Sequence, residues 1–188
     1  FIESFKKSVQ DAVLDIGQRE ITNLGLSFVF DLSRPTVVAA IRQILETVSN
    51  KTNETTWNDL VSLFQQAEEN GEGIPAIQER LSQYFGDRKS DYQTERIART
   101  TMTASSNAGE QEAWNQAEEN GIQMDKEWIS ALQAGRTRQA HWEAHGQRVG
   151  LHEAFEVDGE SLMHPGDPNG SPGNIINCLC GMIAIVKE

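Results

Sequence analysis

Both cysteines of this 188-residue chain stand two positions apart, at Cys178 and Cys180, and all four histidines, His141, His145, His152 and His164, fall in the stretch before them. On a β-strand, residues i and i+2 share a face, so the two thiols point the same way. A disulfide between them is disfavoured, because the bridge needs a Cα separation of about 5.5 Å and a defined torsion. Two thiols and nearby imidazoles are instead a donor set for zinc, which takes four Cys, His or carboxylate ligands. The expected set is Cys178, Cys180, His141 and His164, with His145 or Asp167 as the alternative fourth ligand. The plain structural reading is a pair of small apolar side chains on a core strand.

A second cluster lies in RTRQAH, Arg136 to His141. If a helix begins near Thr137, then Arg138, His141 and His145 fall at i, i+3 and i+7 on one side, where they could bind an anion or move protons. A nuclease or toxin-like phosphodiesterase is the enzyme reading of that centre. Neither a clear second catalytic partner nor a phosphate-cradling glycine loop accompanies it. The expected role is therefore structural, with Arg136 holding the loop that contains Asp167 through a bidentate pair. HPGDP, His164 to Pro168, reads as a rigid corner: two prolines fix torsions, Gly166 admits a turn, and Asp167 accepts bonds from its own backbone.

The elements that must position these groups follow from apolar periodicity. A helix is expected from Glu3 to Leu24, weakened by Gly17, then an extended piece from Leu26 to Leu32. Asp31 or Ser33 caps a second helix that starts at Pro35 and buries Val37, Val38, Ile41, Ile44, Leu45 and Val48. A break at Asn50 to Thr56 precedes a helix through Trp57 and Phe64, and Pro75 starts another. AEENG occurs at Ala67 to Gly71 and again at Ala117 to Gly121, each read as a helix C-terminal cap rather than a repeat. A long helix spans Asp91 to Asn120, carrying ERIART and, near its middle, Asn107. Glu95, Arg96 and Arg99 are read as a solvated or salt-bridged face, and Asn107 as a hydrogen bond across to the C-terminal part. Beyond Gly121 the composition favours strands at Lys126 to Leu132 and Cys178 to Val186, a short helix at Arg138 to Ala144, and a hairpin turning at Asp158-Gly159. Trp57, Trp114, Trp128 and Trp142 are expected in packing roles. The fold class expected is α+β, with a helical N-terminal part on a small antiparallel C-terminal sheet.

A formal charge of −12 and a pI near 4.8 argue against a sequence-independent grip on nucleic acid, which draws on clustered Lys and Arg. No apolar run is long enough to cross a bilayer, and no signal-peptide pattern is present. Two adjacent cysteines exclude a disulfide framework. The chain opens on Phe1 rather than methionine, which suggests a fragment, a processed product or part of a longer chain.

The order ERIART, a long helix with a central asparagine, KEWIS, RTRxxH, a glycine shortly after, HPGDP and NCxC resembles the phage head morphogenesis family, the Mu F-like minor head proteins, some of them fused to a portal protein. The resemblance covers roughly residues 50 to 186. It divides the chain into a helical segment at 1–50, read as a linker from an upstream portal-like region, a helical part at 51–121 and an α+β part at 122–188. Gly135 stands where the family usually has Asp, and Leu179 where it usually has Arg. Arg138 and His141 stand where some members carry cysteines. The resemblance implies a structural minor head protein of a tailed phage, in the capsid interior or at the portal, assembled in the host bacterial cytoplasm and acting in head assembly, DNA packaging or ejection. Its implied partners are portal and capsid proteins, with packaged DNA weakly and no membrane. Arg136, Arg138, His141, Asp167 and Asn177 are then structural motif residues, catalytic residues are absent, and zinc is the one cofactor to consider. A zinc-stabilised protein-binding module is the remaining alternative.

Overall fold

The computed structural model describes residues 2–50, 79, 83, 91–132 and 135–187. The break after Asn50, the helix through Trp57, the first AEENG and, apart from Glu79 and Gln83, the helix from Pro75 lie outside the described residues. Helix α1 (Ile2–Asn23) buries Val9, Val13 and Ile21 on one stripe. Gly17 sits inside that stripe for a steric reason: a Cβ there would come within 2.7 Å of the Phe30 ring.

The segment 26–32 forms no ladder, yet several of its backbone groups find side-chain partners. Gln18 donates to the Phe28 carbonyl and accepts from the Phe30 amide, and Gln116 brackets the amide and carbonyl of Asp31. Two glutamine side chains thus act as the strand partner that buried backbone requires. Asp31 Oδ1 accepts from the amide and hydroxyl of Ser33, and Pro35 opens helix α2 (Pro35–Asn50), which buries Val37, Ile41 and Ile44. Val38 stays 45% exposed, off the buried stripe.

Helix α3 (Asp91–Glu119) is central. α1 and α2 pack on it, and so does the C-terminal sheet. A helix covered on several sides needs small residues at its crossings. α3 buries Ala104, Ala108, Ala113 and Ala117, and at Gly109 a Cβ would stand 3.0 Å from the Val13 carbonyl of α1. The second AEENG ends α3 as expected: Gly121 is at φ +93°, and the amides of Gly121 and Ile122 bond the carbonyls of Glu118 and Ala117.

In the C-terminal part, β1 (Met124–Ile129) is the middle strand of an antiparallel sheet, between β2 (Arg148–Gly150) and β5 (Gly181–Val186). Asp125 pairs with Gly150 on one side and Ile185 on the other. Strands β3 (Phe155–Val157) and β4 (Glu160–Leu162) form the hairpin, with Asp158 at φ +53° and Gly159 at φ +74° as its tight turn. Helix α4 (Gln139–Glu143) and the short α5 (Pro172–Ile175) complete the order. The buried apolar side chains of helices and sheet form one cluster, from Val9 through Trp114 and Trp128 to Met182. The architecture is α+β, helices first and antiparallel sheet after.

Three element boundaries differ from expectation. β1 stops at Ile129 rather than Leu132, because the Ser130 amide turns to His145 Nδ1 and Leu132 adopts φ +49°. β5 starts at Gly181 rather than Cys178, for a reason found on α3. The RTRQAH helix has only five residues, with Arg138 as its N-cap and Ala144 as its C-cap, so His145 lies past its end.

One charge on the α1–α3 interface sets a pH dependence. Burial lifts the Glu110 carboxyl to about 8, with Glu20 adding to the shift and Arg19 opposing it. Its Oε2 is buried without a partner among the described residues. A carboxyl raised in the folded state contributes stability that is fully present below its unfolded value and lost as pH rises through its folded value. Stability should therefore fall between pH 4.5 and about 8. Glu110→Gln should flatten that fall and exceed the parent near pH 8 by on the order of 1–3 kcal/mol. Urea unfolding across that range is the check, and parallel curves for the two proteins would refute it.

Candidate functional site

Four side chains on one face of α3 reach the INCLC segment. Arg99 Nη1 donates to Asn177 Oδ1 at 2.8 Å, and Thr100 Oγ1 accepts from the Asn177 amide at 2.8 Å. Thr103 Oγ1 donates to the Cys178 carbonyl at 2.7 Å, and Asn107 Nδ2 to the Cys180 carbonyl at 3.2 Å. Positions 99, 100, 103 and 107 recur at helical spacing, which places them along one line. Their bonds replace the ladder that would otherwise carry residues 177–180, so the strand begins only at Gly181. Asn177 takes the left-handed conformation, φ +59°, one that asparagine tolerates better than most residues.

From that anchored turn the chain runs in an alternating path. Cys178 and Cys180 are 1% and 5% exposed and Leu179 is 40% exposed, so both thiols face inward although neither lies in a strand. They meet His141, 1% exposed. Its Nδ1 stands 3.6 Å from Cys178 Sγ and 3.4 Å from Cys180 Sγ. α4 delivers this ring and Ser130 fixes the helix, its Oγ donating to the His141 carbonyl at 2.7 Å and lying 3.5 Å from Cys180 Sγ. On the far side of the ring, Nε2 lies 3.4 Å from Asn174 Oδ1, and Asn174 Nδ2 donates to the Val157 carbonyl. That second bond turns Oδ1 toward the ring, so Nε2 carries the hydrogen and Nδ1 turns its lone pair to the sulfurs. Trp128 packs edge-on against the imidazole, with centroids 5.7 Å apart.

The two thiols titrate as a pair, in separated steps. Ionisation of Cys180 is favoured by the hydrogen bond from Cys178, against burial. The Cys178 thiol is pushed up by that same bond and by burial. A cavity of about 20 Å³ adjoins the cluster, lined in part by Arg136, Thr137, Arg138 and Asn177.

The other expected site residues are placed as follows. Arg138 bonds the Ile176 carbonyl and so ties RTRQAH to INCLC. Arg136 is exposed at the rim of the small cavity. The Asp167 carboxylate is taken by the Met163 amide and by Asn169, through its amide and its Nδ2, so the HPGDP corner is locked from within rather than by Arg136. His164 is buried, its Nδ1 donating to the Pro165 carbonyl, and burial lowers its pKa. It lines a separate cavity of about 280 Å³ with Glu112 and Asp167 and does not join the cysteines. His145 is exposed and accepts from Ser130, and His152 pairs with Glu118 at the surface. Arg138, His141 and His145 therefore do not line one open centre.

Two features escaped the sequence reading. ERIART is not merely a solvated face, since Arg99 and Thr100 hold Asn177; the signal was the polar line they share with Thr103 and Asn107. Lys126 is fully buried, its Nζ donating to Gln111 Oε1 and the Met163 carbonyl and lying 5.2 Å from the Phe155 ring centroid. Burial lowers its pKa to about 8. Period-two alternation through Met124, Lys126 and Trp128 was the available signal.

Asn107→Leu removes the bond to the Cys180 carbonyl and should destabilise the fold by about 1–3 kcal/mol. Arg136→Ala at the exposed rim should stay within about 0.5 kcal/mol. Urea denaturation of both variants decides, and equal stabilities would contradict the anchoring role.

With this geometry in view, the chain can be set beside known proteins. A curated relative, NAD(+)–arginine ADP-ribosyltransferase EFV of Enterococcus faecalis, is 32% identical over 91 residues, which are 48% of this chain and 18% of that protein. The chain thus spans less than a fifth of that relative's length. No solved structure matches. Residues 58–183, which take in the polar line of α3, RTRQAH, HPGDP and the His141–Cys178–Cys180 cluster, match the family described as Phage Mu protein F like protein. The chain belongs to that family.

Proposed function

We propose that this protein is a structural minor head component of a tailed phage, held against the portal or in the capsid interior and acting in head assembly, DNA packaging or ejection. The observation that carries the reading is the family match across residues 58–183. The chemistry of the site is consistent with a structural part. Its His and Cys side chains are buried, and the cavity beside them holds about 20 Å³, room for about one water. Small-molecule and cofactor sites run to about 300–1,000 Å³. The acidic balance of the chain directs it toward protein partners, with DNA contacted weakly.

The transferase named in the relative bears on a second reading. The shared stretch is 18% of that protein, and we read it as a module common to both chains rather than as the seat of ADP-ribosyl transfer. Purified protein given NAD+ and free arginine should produce no ADP-ribosylarginine, and turnover would replace the structural reading with an enzymatic one.

Mass spectrometry of purified heads and assembly intermediates should find this chain with portal and capsid proteins. Its absence from both would remove the proposal.

A further inference from the structure

We propose that His141 Nδ1, Cys178 Sγ and Cys180 Sγ bind one zinc ion, with a water in the adjoining cavity as the fourth ligand. This goes beyond the phage-head role and does not depend on it. The three donor atoms lie within 4.8 Å of one another, all on buried residues. With Zn–S near 2.3 Å and Zn–N near 2.0–2.1 Å, tetrahedral angles put a nitrogen and a sulfur ligand about 3.6 Å apart. The separations here are 3.6 and 3.4 Å.

A neutral imidazole nitrogen has one lone pair, and two thiols aimed at it cannot both donate well. A cation placed between the three atoms satisfies them together. Asn174 holds the far nitrogen of the ring, the orienting contact that histidine ligands of metals regularly show. Thr103 and Asn107 fix the carbonyls of both cysteines, so the sulfurs are positioned before any ion arrives. On binding, the two thiols release their protons to solvent, and two thiolates with a neutral imidazole leave the buried Zn2+ complex without net charge. Thiolate and imidazole donors in tetrahedral array select zinc over magnesium or calcium.

The fourth ligand is neither cysteine nor histidine. The chain has no further cysteine, and its other histidines are engaged elsewhere: His145 by the Ser130 amide, His152 by Glu118 and His164 by Pro165. The 20 Å³ cavity beside the sulfurs has room for one water. The site therefore differs from the sequence expectation at one ligand, with water in place of His164.

The test uses the whole chain, stripped with chelator and reloaded with Zn2+ or Co2+ alone. One metal per chain is expected, with an X-ray absorption first shell of two sulfurs and two nitrogen or oxygen atoms, and a thiolate-to-cobalt charge-transfer band with tetrahedral ligand-field bands. Cys180→Ser should lose the band, His164→Gln should keep full stoichiometry, and Asn174→Ala should weaken binding about 10–100-fold. No stoichiometric zinc together with no thiolate–cobalt band in the parent would overturn the proposal, and that reading needs no variant to fold. Loss of metal in His164→Gln as complete as in Cys180→Ser would overturn the ligand set.

Discussion

The backbone of residues 177–180 is held by side chains of α3 rather than by a neighbouring strand, and the C-terminal part is organised around that constraint. Buried amides and carbonyls must find partners. Thr100, Thr103 and Asn107 supply them for Asn177, Cys178 and Cys180. Because the segment is extended and anchored at alternate carbonyls, both sulfurs face inward while Leu179 faces out. The ladder with β1 can then start at Gly181, whose partner is Ile129. From the end of β1, Ser130 reaches back to α4 and sets the imidazole of His141 beside the thiols.

The same helix serves the other half of the molecule by the opposite means. Toward α1 it offers small residues and Gly109, allowing near backbone contact. Toward the sheet it offers hydrogen-bonding groups. This division explains why α3 has no single apolar stripe and why its sequence reads as polar throughout: it is a shared wall between two layers rather than a surface helix with one buried face. Glu110, Glu112 and Gln116 are the cost of that position, carrying polar atoms into a largely enclosed interface. The burial-raised carboxyls of Glu110 and Glu112 record it.

Much of this was legible in the sequence. The helix at Pro35, the second AEENG cap, the Asp158-Gly159 hairpin and the α+β class follow from local signals that the tertiary structure leaves intact. Asn107 in mid-helix correctly pointed to a bond with the C-terminal part. The inward pairing of Cys178 and Cys180 was right, but for another reason, since an extended segment alternates whether or not it joins a sheet. What could not be read were the distant partners. Nothing local to Asp167 says that Met163 and Asn169 satisfy it and leave Arg136 at the rim, nor that His164 belongs to a different cavity from the cysteines. Lys126 was hidden by its type, because a lysine is assigned to solvent until its neighbours on the strand show otherwise.

Hydrogen exchange at the Asn177 amide tests the central constraint directly. If α3 anchors the INCLC turn through Thr100 Oγ1, that amide should exchange as slowly as those in the middle of α3 such as Ala108, and Thr100→Val should speed it while leaving the β5 amides protected. An Asn177 amide that exchanges in the parent protein at the rate of an exposed loop would contradict the account.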